Sequence, residues 1–316
     1  MKLLACLLNW RTADMTARAL DLLVPELRGL GSARVMVVDN DSQDGSLEKL
    51  TAHVTAHGYQ DVAEVVASGH NGGFGFGNNV TLRSGLRAAD PPEYFYLLNS
   101  DAFMRAGTLR ALVDYADAHP RVGIAGSTVL TLEGVPQTSA FRFPSPLSEL
   151  EAMVSLGVVS RVLKRSIVPL PIPAATTTDV DWVAGASMLL RRDMLEKIGI
   201  FDETFFLYYE ETDLCLRAKR AGWQVAYVRE GAVEHEGGAS TGVTSSVVVQ
   251  KPMPTYVFAS RRHFFLKNFG RATLWQANAA HLLGGGLFRL RTRLGRRDDH
   301  RPREWIDGVI YNLKNP

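Results

Sequence analysis

The chain has 316 residues, of which 46% are hydrophobic and 22% charged; this balance excludes a disordered or fibrous protein and allows one large domain with a sizeable core. Its two cysteines, Cys6 and Cys215, lie in apolar segments without ligand spacing, which excludes a disulfide framework or a zinc ribbon and fits core thiols in a reducing compartment. A net charge of +2 conceals an asymmetry: Arg261 to Arg303 carry eleven Lys and Arg against Asp298 and Asp299, leaving the tail at +9 and the body at −7.

The opening run Leu3–Leu8 has the apolarity of a signal peptide, but Asn9, Arg11 and Asp14 cut it short, and it reads as a first strand. Further strands are predicted at Ala33–Val38, Val62–Ala67, Tyr94–Leu98 and Val122–Ala125. Helical spacing marks Met15–Leu27, Asp44–Thr55, Gly77–Arg87 and Thr108–Ala118 between them. The alternation predicts an α/β fold with a mostly parallel sheet, residues 1–126 forming a Rossmann-like nucleotide-binding half. Parallel strands end on one rim, so the polar groups that follow them converge on a crevice: Asn9-Trp10, Asp39-Asn40-Asp41-Ser42, Asn71-Gly72-Gly73-Phe74 and Asn99-Ser100-Asp101.

Each group has a bland reading beside the functional one. Asp101 alone would cap the next helix, and the Asp39–Ser42 turn offers capping oxygens of its own. Two carboxylates, Asp39 and Asp41, exceed what a cap requires, and Asp39 suits a ligand N–H. The glycines of Gly72–Gly77 let backbone approach a ligand, but the G-x-G-x-x-G fingerprint is missing, and the absence of any Gly-Lys pair excludes an ordinary P-loop.

From Leu130 to Asp181 prolines interrupt the periodicity, which reads as an acceptor-site loop or a solvated excursion. Trp182–Leu190 resumes a strand, with Gly185 and Ala186 where a ligand or another backbone approaches. Glu210, Glu211 and Asp213 then fall in the first turn of a helix stopped by Gly222. Acids there complement the helix dipole, and Asp213 pairs with Arg217 by spacing; equally, a carboxylate among aromatic walls acquires a raised pKa suited to general-base work. A strand at Gln224–Val228 leads to His235, read as a metal ligand, a phosphate partner or an ordinary loop residue.

In the tail, Leu283, Leu287, Leu290 and Leu294 make an apolar stripe among arginines, with Gly284–Gly286 weakening its helical start. The stripe fits a helix lying on an anionic membrane surface, with packing onto the domain as the alternative. No nucleic-acid motif accompanies the charge. Residues 127–260 are expected to complete the domain as an acceptor-binding and catalytic half, and 261–316 to form a basic helical extension. No apolar run approaches the roughly 18 residues of a membrane span, so the expectation is a cytoplasmic protein, soluble or peripheral on the inner face of the cell membrane.

Taken in order, Leu8-Asn9-Trp10, Val37–Gly45, Asn71-Gly72-Gly73-Phe74 with Asn78, Leu97–Asp101, Trp182–Ala186 and Tyr209–Leu214 resemble glycosyltransferase family 2, in its rhamnosyltransferase-like branch. The resemblance runs from about Leu3 to Gly270. It implies a GT-A fold and a metal-dependent (Mg or Mn), inverting transfer of one sugar from a nucleoside diphosphate donor. Rhamnose from dTDP or UDP is the branch-level donor, and a glycan or lipid-linked acceptor in cell-surface polysaccharide synthesis is the acceptor class.

By position, the resemblance implies a nucleotide-sugar-binding set of Asn9, Trp10, Asp39, Asp41, Asn71, Gly72, Gly73, Asn78, Asn99 and Ser100, with Asn9 and Asp39 on the base. Asp101 takes the metal-binding place of the D-x-D motif, whose first Asp is here Asn99, and His235 matches a further metal ligand. Glu211 takes the place of the catalytic Asp, with Glu210 and Asp213 beside it, and Trp182, Gly185 and Ala186 border the donor or acceptor sugar. The competing classes are a sugar-phosphate nucleotidyltransferase, which lacks its basic glycine-rich loop here, and a non-catalytic nucleotide-sugar-binding scaffold.

Overall fold

The computed structural model describes residues 1–237, 253–295 and 306–315. In chain order the elements are β1 (Leu3–Asn9), α1 (Ala13–Leu30), β2 (Ala33–Asp39), α2 (Ser46–Ala56), β3 (Ala63–Ala67), α3 (Gly73–Leu86), β4 (Tyr94–Asn99), β5 (Ala102–Met104), α4 (Thr108–Ala118) and β6 (Val122–Leu130). There follow β7 (Pro136–Gln137), β8 (Ala140–Phe141), α5 (Pro146–Val154), α6 (Gly157–Val162), β9 (Trp182–Val183), β10 (Ser187–Arg191), α7 (Arg192–Ile198), α8 (Glu210–Arg220), β11 (Gln224–His235), α9 (Thr255–Leu294) and α10 (Asp307–Lys314).

Successive side chains of a strand go to opposite faces, and in β1 both faces are buried. Leu3, Ala5 and Leu7 join a core with residues of α1, α2 and α4, whereas Leu4 and Cys6 join a second core with residues of α3, α7 and α8. Helices on both faces are why the strands read as unbroken apolar runs. The main sheet has the order β3-β2-β1-β4-β10-β6-β11-β5, with β7 beside β6. Strands β1 to β4 are mutually parallel where paired, β6 and β11 are parallel, and β10 runs antiparallel between β4 and β6. Register sets Asn9 opposite Asp39 and Leu8 opposite Asn99, so the anticipated rim exists.

Several expectations are corrected. Asp101 does not cap a helix: it lies in the turn between β4 and β5, and α4 starts only at Thr108. The glycine-rich segment is not a loop before a helix at Gly77 but the first turn of α3, beginning at Gly73. The strand at Trp182–Leu190 breaks at Ala184–Ala186, because β9 pairs with β8 in a separate small sheet whereas β10 enters the main one. His235 is not in a loop; β11 runs on through an irregularity at Val228–Ala232 to pair His235 with Ala102.

The segment 130–181 holds α5, started by a reciprocal cap between Ser145 and Ser148. Helix α9 continues through Gly284–Gly286. A Cβ on Gly284 would meet Met153 Cβ at 2.7 Å and the Leu150 carbonyl oxygen at 2.9 Å, so the glycine is a notch into which α5 packs. The break in α9 is instead at Gly270, at φ 83° and ψ 173°. Arg261 donates to Asn278 across 17 residues at 2.9 Å; on a straight helix those residues would stand about 25 Å apart. The second arm of α9 therefore folds back along the first, burying Phe264, Phe265, Leu274 and Ala277 together. The tail residues Arg296–Arg303 lie outside the described residues.

Candidate active site

A cavity of about 660 Å³ opens at the rim of the sheet, a size suited to a small-molecule ligand. Of the residues singled out in the sequence, Trp10, Asn71, Gly73, Asn99, Ser100, Asp101, Gly185, Ala186, Glu210, Glu211 and His235 line it.

One wall comes from the ends of β1 and β2 and the start of α3. Asn40, just past β2, donates to Asn71 Oδ1 at 3.0 Å and to the Gly73 carbonyl at 3.1 Å, and Asn71 Oδ1 also accepts from the Gly73 N–H at 3.0 Å. The Asn40 Oδ1 is buried without a partner among the described residues, a vacant acceptor in a cavity wall. Gly73 is required sterically: it sits at φ +87°, and a Cβ would fall 1.8 Å from the Phe206 carbonyl oxygen. That closeness lets the Phe74 N–H donate to Phe206 at 3.0 Å, joining this wall to the segment before α8.

Asn9 and Asp39 do not line the cavity. Asn9 is fully buried, donating to Asp39 Oδ1 at 2.7 Å and to Ser42 Oγ at 3.1 Å while accepting from Thr16 at 2.7 Å. Ser42 closes the bracket by donating its N–H to Asp39 Oδ2 at 3.1 Å. The pair expected on the base thus braces the loop from beneath. Asp41, Gly72 and Asn78 also stand outside the lining; Asp41 accepts from Gln43, and Asn78 donates to the Phe74 carbonyl. Trp182 stacks on Phe141 at 4.0 Å and donates to the Arg142 carbonyl, so it belongs to the small sheet.

At the floor, His235 Nε2 lies 3.1 Å from Asp101 Oδ1 and 3.5 Å from Asn99 Nδ2. Asn99 Oδ1 is buried with no partner among the described residues. One carboxylate, one imidazole nitrogen and one vacant amide oxygen fit a hard divalent ion such as Mg²⁺ or Mn²⁺, which takes its other oxygens from water and substrate phosphate. Asp21, His53 and His57, whose ligand atoms lie within 4.8 Å of one another, sit on α1, on α2 and just past its end, and none of them lines the cavity.

The opposite wall carries the acids. Tyr208 and Tyr209 both adopt left-handed backbone conformations, at φ 69° and 72°, uncommon for aromatic residues and a mark of an over-determined site. They set α8 so that its first turn faces the cavity with Glu210 and Glu211. Both side chains hold a buried Oε2 without a partner among the described residues. Burial raises the Glu211 pKa to about 7, against a smaller opposing effect of hydrogen bonds from its own N–H and that of Gly185. Burial and the charge of Glu211 push Glu210 up as well.

Asp213 stands outside the cavity lining. It is fully buried and accepts from Arg217 and Lys267 at 2.8 Å and from Asn268 at 2.9 Å, fastening α8 to α9 away from the cavity. Sequence reasoning misses Asn40 as a wall residue, although it stands within the turn singled out, and finds Phe206 and Tyr208 of the aromatic wall but misses Tyr256. No local pattern marks Tyr256, which α9 delivers from the tail: its ring lies 5.4 Å from Phe206 and 6.3 Å from Tyr208.

A family model described as glycosyltransferase like family 2 matches residues 10–252. An N-acetylglucosaminyl-diphospho-decaprenol L-rhamnosyltransferase of Mycobacterium tuberculosis is 30% identical over 244 residues, 72% of this chain and 75% of that protein. The rhamnosyltransferase WbbL of Escherichia coli is 31% identical over 164 residues, 49% of this chain and 58% of its own length. Among solved structures, the mannosyltransferase PcManGT of Pyrobaculum calidifontis, in complex with GDP-Man and Mn²⁺, superposes with a TM-score of 0.56 at 14% identity, covering 99% of this chain and 86% of that one. GalNAc-T7 with UDP, GalNAc and Mn²⁺ gives 0.59 at 12% identity, covering 100% of this chain and 57% of that one. The likeness to both is one of fold, the GT-A arrangement of a curled α/β sheet.

Proposed function

Because the chain belongs to glycosyltransferase family 2, we propose that it moves one sugar, rhamnose in the first instance, from dTDP or UDP to a lipid-linked or cell-surface glycan acceptor, with inversion. The observation that carries this is a single cavity with a carboxylate base, Glu211, on one wall and the Asp101–His235 pair at its floor. Asn40, Asn71 and Gly73 hold the nucleoside end, and Asn9 with Asp39 keeps their rim in place.

The Glu211 carboxylate takes the acceptor hydroxyl proton as the oxygen bonds to the anomeric carbon. The bond from that carbon to the diphosphate oxygen breaks on the opposite face, and its electron pair leaves with the nucleoside diphosphate. Inversion follows from this single displacement. A positioned base of this kind contributes roughly 10²–10⁴ in rate. Asp101, His235 and Asn99 would hold the divalent ion, which when bound supplies positive charge beside the diphosphate. Gly185 keeps the base in register through its N–H, and burial together with the charge of Glu211 favours the neutral form of Glu210.

The relation to a relative named for a decaprenol-linked substrate supports the acceptor class, and the basic tail from Arg261 to Arg303 supports contact with an anionic membrane surface. No helix among the described residues is long and apolar enough to cross a membrane. The test is a panel of nucleoside diphosphate sugars, read by nucleoside diphosphate release with and without acceptor. Acceptor-dependent release from one donor supports the proposal. Pyrophosphate formed from a nucleoside triphosphate and a sugar phosphate would indicate a nucleotidyltransferase, and binding without turnover a scaffold.

A further inference from the structure

The two arms of α9 are tied at one level by Glu149 of α5, which accepts from Arg261 on the first arm and His281 on the second, each at 2.8 Å. The arms are antiparallel, so moving back from Arg261 to Tyr256 and forward from His281 to Gly286 are steps in the same direction. Tyr256 lines the cavity. Leu287, Leu290 and Leu294 therefore continue past the level of the cavity wall by up to about 12 Å, at 1.5 Å per residue. All three are exposed, Leu294 at 77%.

A second element shares that end of the molecule. Arg291 donates to the Ser155 carbonyl at 3.0 Å, which sets the start of α6 against the outer arm. Helix α6 also shows apolar side chains to solvent, with Val158 at 63% and Val162 at 76% exposed. Among the described residues, the exposed charges on α6, just after it and on the outer arm are basic: Arg161, Lys164, Arg165 and Arg293. The acids of neighbouring α5 are engaged within the fold, Glu149 as above and Glu151 by Ser160 at 2.6 Å.

We propose that α6 and the outer arm of α9 form one membrane-docking face for an anionic phospholipid surface, set so that the cavity mouth stands at headgroup level and takes a lipid-linked acceptor directly from the bilayer. The Leu287–Leu294 end of α9 stands on the same side of the molecule as Tyr256, a cavity-lining residue, so the docking face and the cavity share one end of the fold. A second copy of the chain is a poorer occupant, because a two-fold contact would set this positive surface against itself. The destination rests on the lipid-linked reading of the acceptor; the docking face itself does not.

The experiment is flotation of the full chain with phosphatidylcholine vesicles, with and without phosphatidylglycerol. The variants are Val158→Glu with Val162→Glu, and Leu287→Glu with Leu290→Glu, all at exposed sites away from the cavity. The wild type should float with the anionic vesicles only and be released by salt. Each variant pair should reduce flotation by about tenfold or more, leave transfer to a short, water-soluble acceptor unchanged, and slow transfer to a long-chain acceptor in vesicles. Wild-type flotation of the α6 pair, or equal binding to neutral vesicles, overturns the proposal. So does a dimer that the same substitutions split. Nucleoside diphosphate release measured on the same samples separates this from the transferase reading, since flotation requires no turnover.

Discussion

Replacing Glu211 by Gln keeps the side chain's shape and removes its charge, and it should make the protein inactive and more stable together. Burial raises the carboxyl pKa from an ordinary 4.5 to about 7, a difference of about 2.5 units, and each unit corresponds to about 1.36 kcal/mol. Holding the ionised form in the folded state therefore costs on the order of 3 kcal/mol. The folded pKa lies above the unfolded one, so the stability of the wild type is complete below about pH 4.5, declines through the interval up to about 7, and stays at its lower level above that. Glu211→Gln should match the wild type in acid and exceed it increasingly across that window, by on the order of 3 kcal/mol at pH 8. Denaturant unfolding at a series of pH values measures the difference. On the same preparations, transfer should fall by roughly 10²–10⁴, donor binding should persist, and the wild-type rate should rise with pH through about 7. A stability advantage of the variant no larger at pH 8 than at pH 4 would falsify the buried-base assignment, and full transfer activity would remove Glu211 from the chemistry.

Three further outcomes are expected. Asp101→Asn should abolish the Mn²⁺ dependence of nucleoside diphosphate binding in calorimetry, weakening it by at least about tenfold; unchanged metal dependence would move the ion elsewhere. Gly73→Ala places a Cβ against the Phe206 carbonyl at positive φ and should destabilise by about 2 kcal/mol or more, with a lower Tm and weaker donor binding; a wild-type Tm contradicts the close approach. At Asp202 burial raises the carboxyl pKa, but hydrogen bonds from His263, Lys267 and Thr204 outweigh it and hold the group well below the usual range. Asp202→Asn should thus be destabilising at neutral pH, with the deficit narrowing as pH falls below about 4; a deficit independent of pH would rule out the ion-pair explanation.

The rim is readable because it depends on a local signal, an apolar run ending in short polar residues, repeated on parallel strands. Hence Asn71, Asn99 and Asp101 emerge from the sequence alone. Asn9 and Asp39 emerge at the rim, but their bonds to each other and to Ser42 do not, because a motif does not reveal which of its side chains are engaged by their neighbours. Asp213 is the same case, since its spacing to Arg217 is visible but Lys267 and Asn268 arrive from the tail. Gly73 and Gly284 mislead because a glycine's reason lies in the group packed against it, the Phe206 carbonyl in one case and α5 in the other. Tyr256 carries no signal at all, as its role depends on how α9 folds back at Gly270.

The place of β10 also governs how the chain reaches its native state. Strands β4 and β6 are close in sequence yet never pair, because β10 occupies the position between them. At synthesis rates of about 5–20 residues per second, the stretch from the end of β6 at Leu130 to Arg191 takes roughly 3 to 12 s to appear. Over that interval β4 and β6 both lack the neighbour that β10 supplies, and unsatisfied edges are where strands pair with foreign chains. Residues 1–126 do not include β10, the strand that pairs with β4. Truncation before Arg191 should yield aggregates, and the time for which that neighbour is missing is set by the ribosome.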